Sequence, residues 1–185
     1  MDQIFINYRR EGGAYAAALL DELLSARFGE NKVFRASRSI LLGSDFARSI
    51  LNAVEDCSVM LVIVDAGWLD KFDVAESDSL PIRDWVLREI EEAFKLDRTI
   101  IPVLLSGVDR LRAPDLPETL KGLAGLQYLR FDYRNIRQDS DYMIEQLVRV
   151  CPGVATLQDP GCQISVRFRW FRCFLRSLNR VHCDK

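Results

Sequence analysis

The stretch SVMLVIVD, residues 58 to 65, limits this chain more than any other. From Val59 to Val64 every residue is apolar. A strand with one wetted face alternates apolar and polar side chains, and this one does not. A short, unbroken apolar run of Val, Leu and Ile is the mark of a strand buried on both faces, as in a parallel sheet covered by helices on each side. The rest of the chain is therefore expected to supply further parallel strands and the helices that cross between them.

It does so in alternation. Strands are expected at QIFINY (3–8), KVFRA (32–36), TIIPVLL (99–105) and LQYLRFD (126–132). GAYAAALLDELLSARF (13–28) places Ala16, Leu19, Leu20, Leu23 and Leu24 at helical spacing. SDFARSILNAVEDC (44–57) reads as a helix with Ser44 as N-cap after Gly43. IRDWVLREIEEA (82–93) is a helix with Pro81 where a first turn tolerates it. LPETLKGL (116–123) and SDYMIEQLVRV (140–150) complete the helices. Pro102 removes a ladder donor and argues against a central position for its strand. Five β–α repeats predict an α/β fold: a flavodoxin-like, five-stranded parallel sheet in the order 2-1-3-4-5, with helices on both faces. The domain is expected over residues 1–151, followed by a linker at 152–161 and a basic tail at 162–185.

Charge is unevenly shared. The tail carries a net of +5, which leaves the rest of the chain at −7 against a total of −2. That balance gives no general pull toward nucleic acid, and no nucleic-acid partner is expected. In the tail, Arg172, Arg176 and Arg180 stand opposite Phe171, Phe174, Leu175 and Leu178. This pattern suits contact with an anionic membrane or a partner, though a helix packed on the domain or a disordered end is the reading preferred. The five cysteines are odd in number and include no CxxC pair, and Cys57 is expected as a free, buried thiol. The opening MDQIFINYRR has no basic segment leading into an apolar one, and no run approaches the roughly 20 apolar residues of a membrane span. A cytoplasmic location is expected.

In a sheet of this order ligands bind beyond the carboxyl ends of the strands, at the switch point between strands 1 and 3. The topology delivers there Tyr8, Arg9 and Arg10, the loop from Arg35 to Asp45, the segment Asp65 to Trp68, and the start of the helix that carries Glu89. On a wheel of about 100° per residue, Arg88, Glu91, Glu92 and Lys95 fall on one side and Trp85, Val86, Ile90, Ala93 and Phe94 on the other. Glu89 lies inside the apolar arc. Three readings follow: an ion pair with Arg9 or Arg10, a place at the edge of the arc in solvent, or a desolvated carboxylate beside an indole that acts strongly on a developing charge. His182 in the tail is the single histidine. No histidine-based triad or metal site can exist within the domain, and there is no Walker loop or GxGxxG. A phospho-receiver of the same topology needs an acidic pair after strand 1, where this chain has Tyr8-Arg9-Arg10.

These motifs together resemble the Toll/interleukin-1 receptor (TIR) domain, most closely its bacterial members of the NAD-cleaving type, over about residues 3–150. IFINYRREGGAYAAALLDELLSARFG resembles the family's first strand and helix, usually F-I-S-Y-R-R, with Asn7 in place of Ser. VFRASRSILLGSDFARSI resembles the second strand and the BB loop. DWVLREIEEA resembles the D-W-V-x-x-E segment of TIR domains that cleave NAD, and TIIPVLL the fourth strand. One departure stands out: Arg35-Ala36-Ser37-Arg38 occupies the place of an acidic F-x-D type stretch. The resemblance implies cleavage of the nicotinamide–ribose bond of NAD, to ADP-ribose or a cyclic product. It implies Glu89 as the catalytic carboxylate, Trp85 in the nicotinamide or ribose pocket, Phe46 against the ribose or base, and Tyr8, Arg9 and Arg10 at the strand 1 edge. Arg9 and Arg10 suit the pyrophosphate. NAD is then substrate, and no cofactor or metal is expected. The resemblance further implies homotypic TIR–TIR self-association that completes the site, a sensor protein as partner, and a place in anti-phage defence or signalling. The alternative it allows is a non-catalytic TIR interaction module.

Overall fold

The computed structural model describes residues 2–72 and 84–155. Five parallel strands form one sheet in the order β2-β1-β3-β4-β5. They are β1 (Ile4–Asn7), β2 (Val33–Phe34), β3 (Val59–Val64), β4 (Thr99–Leu105) and β5 (Leu129–Phe131). All six residues of β3 are buried, as the apolar run predicts. Among the described residues, α1 (Arg10–Phe28), α2 (Ala36–Ser39), α3 (Phe46–Asp56) and α4 (Trp85–Lys95) lie between strands, and α5 (Ile136–Val150) follows β5.

The sheet divides the core in two. Ile4, Ile6, Leu61 and Ile63 face α1 and α5, where Leu20, Leu24, Met143 and Leu147 meet them. Phe5, Met60, Val62 and Val64 face the opposite layer, with Ile50, Val54, Ile90 and Ala93 of α3 and α4. Period-2 alternation along β1 thus sends Phe5 and Asn7 toward α4, and Ile6 and Tyr8 toward α1.

Several boundaries differ from the sequence reading, each for a local reason. Helix α1 starts at Arg10 and runs through Gly12 and Gly13. A Cβ at Gly12 would lie 2.4 Å from the Asp65 carboxylate, so close approach to the end of β3, not a break in the helix, calls for glycine there. Strand β2 stops at Phe34 because Arg35 and Arg38 turn back to Asp21. The cap of α3 is Asp45, whose carboxylate accepts from Arg48 N at 3.0 Å, while Ser44 Oγ donates to Leu41 O. Segment 116–123 forms a 3₁₀ helix over Glu118–Gly125, and α5 begins four residues earlier than expected, at Ile136. Pro102 sits in β4 between β3 and β5, against expectation. β5 pairs with β4 only from Val103 onward, so at Pro102 the ladder on that flank has not begun and asks for no donor.

The expected linker begins inside the packed domain. Pro152–Ala155 is a 3₁₀ turn with Val154 fully buried, and Lys32 Nζ donates to Gly153 O at 3.3 Å. Pro81 and the basic tail lie outside the described residues. Cys57 and Cys151 are free and buried, and burial pushes the Cys57 thiol up to about 11. Among the described residues no helix is long and apolar enough to cross a membrane.

Candidate active site

The site is built where α4 starts over the carboxyl end of β1. Asp84 caps that helix: its Oδ1 accepts from Val86 N at 3.1 Å and Leu87 N at 3.3 Å, which satisfies two of the open amides of the first turn. Once this end is fixed, helical spacing decides the rest. Glu89, Ile90 and Ala93 face the sheet and are buried. Glu89 is 7% exposed. Asn7, the last residue of β1, reaches it directly: Asn7 Nδ2 donates to Glu89 Oε2 at 2.7 Å and to Val86 O at 3.2 Å. Burial pushes the Glu89 carboxyl up to about 8; the Asn7 donor pulls the other way, and the Asp84 charge adds to the rise.

Trp85 and Phe46 do come together with this carboxyl-bearing helix. The Phe46 ring meets the Trp85 indole edge-on, 5.6 Å between centroids at 88°, and the Arg88 guanidinium lies 5.2 Å from the indole centroid. Phe46 remains 46% exposed, so the pair forms a partly open aromatic wall.

The strand 1 residues go elsewhere. Arg9 forms a two-pronged ion pair with Asp84, at 3.2 and 2.6 Å, and not with Glu89. Its guanidinium lies 4.7 Å from the Phe72 ring centroid and 5.9 Å from that of Trp68. The fork expected to meet pyrophosphate is thus engaged by the cap of α4. Arg10, the first residue of α1, is exposed to solvent and pairs with no carboxylate among the described residues. Tyr8 packs with the α1 side of the core, and its hydroxyl donates to Ser37 Oγ at 3.0 Å. The structure thus groups Glu89, Trp85 and Phe46, ties Arg9 to them through Asp84, and sets Tyr8 and Arg10 apart.

Sequence reasoning missed three members: Asn7, Asp84 and Arg88. Asp84 carried a signal, as an acidic residue directly before a periodic helix. Asn7 had a weaker one, a polar residue closing an apolar strand.

The loop from Arg35 to Asp45 reaches Phe46 from a fixed base. Asp21 of α1, 1% exposed, accepts from Arg35 Nε and from an Arg38 terminal nitrogen, each at 2.8 Å. Arg38 also donates to Val33 O at 2.7 Å. Beyond that base, Leu41 and Leu42 stand 79% and 104% exposed, and Gly43 turns the chain at φ 83°.

Fold and site together define a class: a parallel α/β domain that sets one buried carboxyl and an aromatic wall at the switch point of its sheet. The chain belongs to the TIR domain family, which matches residues 4–148. It is 26% identical over 162 residues to the NAD(+) hydrolase SARM1 of Danio rerio, covering 85% of this chain and 20% of that protein. It is likewise 26% identical over 150 residues to the NAD(+) hydrolase of the same name from Drosophila melanogaster, covering 81% and 10%. The chain thus spans a fifth or less of these relatives' length. In solved structures the fold is similar to the TIR domains of the activated Roq1 resistosome, with TM-score 0.55 and 13% identity over 80% of this chain and 98% of that one. The TIR domain of the Toll-related receptor TRR-2 from Hydra magnipapillata gives TM-score 0.52 and 18% identity, covering 80% and 99%.

Proposed function

We propose that this domain cleaves the nicotinamide–ribose bond of NAD, with Glu89 as the catalytic carboxylate. The observation that carries the reading is the placement of Glu89: buried, one helical turn from Trp85, held by a neutral amide and paired with no cation among the described residues. The two NAD(+) hydrolases that share 26% identity with the chain support it. The chemistry suits so spare a site. The C1′–N1 bonding pair leaves with nicotinamide, which departs neutral, so no general acid is needed. The ribosyl centre becomes oxocarbenium-like, as in glycoside hydrolysis. Water adds to C1′ and loses a proton to give ADP-ribose, or an adenine nitrogen takes its place and gives a cyclic product. At about 4 Å and an effective dielectric near 20, a carboxylate beside that cation contributes about 4 kcal/mol, roughly 10³ in rate. The cationic nicotinamide ring of the substrate favours ionised Glu89 against the burial that favours its neutral form. Trp85 and Phe46 supply the wall for the nicotinamide or ribose. Arg10 is open to solvent for the pyrophosphate, whereas Arg9 acts through Asp84.

The test is nicotinamide release from NAD by concentrated protein. Glu89→Gln, nearly isosteric, is expected to lower turnover by about 10³. Equal turnover by the two proteins overturns the assignment.

One observation favours a second role beside the first. The exposed Leu41-Leu42 tip on an anchored loop is suited to contact with a second copy of the domain. Self-association through this tip is compatible with catalysis.

A further inference from the structure

We propose that Asn7 is a positioning residue of this site: its side-chain amide fixes one oxygen of Glu89 and leaves the other toward the substrate. The inference deepens the NAD-cleaving reading and rests on it for the substrate alone. Its geometry is independent.

Asn7 is fully buried at the end of β1, and its amide meets two acceptors, Glu89 Oε2 at 2.7 Å and Val86 O at 3.2 Å. Both lie on α4, one turn apart. Turning the amide over would set its own carbonyl against Val86 O and, with Glu89 ionised, against Glu89 Oε2 as well, so the orientation seen is the one that suits the carboxylate. The cost of that orientation is visible: Asn7 Oδ1 is sealed from solvent without a donor. A buried orphan acceptor is tolerated here because the NH₂ group does two things at once. It ties the sheet to the α4 backbone and takes one lone pair of the carboxylate. Glu89 Oε1 has no hydrogen-bond donor among the described residues and is not among the sealed polar atoms. It is the oxygen through which the carboxyl meets an incoming ribose.

The charged groups around Glu89 leave this task to Asn7. Asp84, at the start of the same helix, repels the carboxylate. Arg9, which comes from the β1–α1 junction, spends its fork on Asp84. From β1, the group that meets Glu89 is the uncharged amide of Asn7.

Two measurements on Asn7→Ala and Asn7→Ser test the proposal. The first is nicotinamide release across pH. Asn7→Ala is expected to lower kcat by at least about tenfold with KM within about twofold, since an anchor lost is geometry lost in the transition state. Asn7→Ser keeps a hydroxyl donor and recovers part of the loss. The second reads the ionisation of Glu89 by carbon NMR of glutamate-labelled protein, with Glu89→Gln assigning the signal. Loss of the donor moves that ionisation to higher pH in Asn7→Ala and less so in Asn7→Ser. A titration and a kcat unchanged in Asn7→Ala overturn the proposal. Should wild type release no nicotinamide, the NAD reading falls, and an unmoved Glu89 titration in Asn7→Ala still refutes the anchor by itself.

Discussion

Replacing Glu89 by Gln should change not only the chemistry but also the way stability depends on pH. The group ionises at about 8 in the folded chain, against an ordinary value of 4.5. Below pH 4.5 it holds its proton in both states and the full stability is present. Between pH 4.5 and about 8 the unfolded chain gives up the proton and the folded chain keeps it. Through this window stability falls as pH rises, by about 1.4 kcal/mol per pH unit. Above about 8 both states are ionised and the loss is complete. From pH 5 to pH 9 this one group then removes about 4 kcal/mol, an upper figure because relaxation and entry of water soften buried charges. Against a total of about 5–15 kcal/mol for a domain, that is a large share. Gln keeps the acceptor for Asn7 Nδ2 and has no proton to lose. Urea denaturation of both proteins at half-unit steps from pH 5 to pH 9 reads the effect as a difference in midpoint at constant m. The two should agree near pH 5 and diverge steadily, with Glu89→Gln the more stable above pH 8. Curves that stay parallel across the range would refute the claim that burial dominates the environment of this carboxyl.

Asp84 both caps α4 and answers the Arg9 charge, and two substitutions separate those roles. Asp84→Asn keeps a good cap and loses the ion pair, whereas Asp84→Ala loses both and should cost about 1 kcal/mol more in denaturation, the usual value of a cap. Equal losses would remove the capping role. Replacing Leu41 and Leu42 together by Ser should leave thermal stability within about 0.5 kcal/mol, since both side chains are in solvent. It should lower the self-association measured by sedimentation, and an unchanged association constant would rule the loop tip out as a contact.

What the sequence made legible was set by periodicity, and what it hid was set by contacts between distant segments. VMLVIV announced the central strand and the parallel sheet because burial on two faces needs no knowledge of neighbours. The inward turn of Glu89 was equally readable from the wheel. Its partner was not: alternation along β1 and the topology bring the strand end near α4, but which side chain reaches Glu89 depends on how α4 sits over that strand end, which cannot be counted along the chain. Arg9 and Arg10 looked equivalent, yet the first is committed to Asp84, 75 residues away, and the second to solvent. The helix was expected from Gly13, but it already runs through Gly12, where it grazes Asp65. Pro102 argued for an edge, and β4 tolerates it internally because β5 is short.

The basic stretch after β2 follows the same logic. Its arginines stand where an acidic stretch was expected, and by sequence alone that departure had no explanation. Asp21 provides one. It lies on the inward face of α1 with its side chain 1% exposed, a position where an unpaired carboxylate is strongly unfavourable. Arg35 and Arg38 both reach it, and Ser25 Oγ donates to the same carboxylate at 3.1 Å. Neither the acid in the helix nor the bases in the loop make sense alone; together the two guanidinium groups compensate the buried carboxylate and fix the loop to α1 at its root. A loop held at that end, and capped at the other by Asp45 on α3, has little freedom in where it places Phe46. The cluster of Asp21, Arg35 and Arg38 thus anchors one end of the loop whose other end leads into Phe46, the ring set edge-on against Trp85 on the helix that carries Glu89.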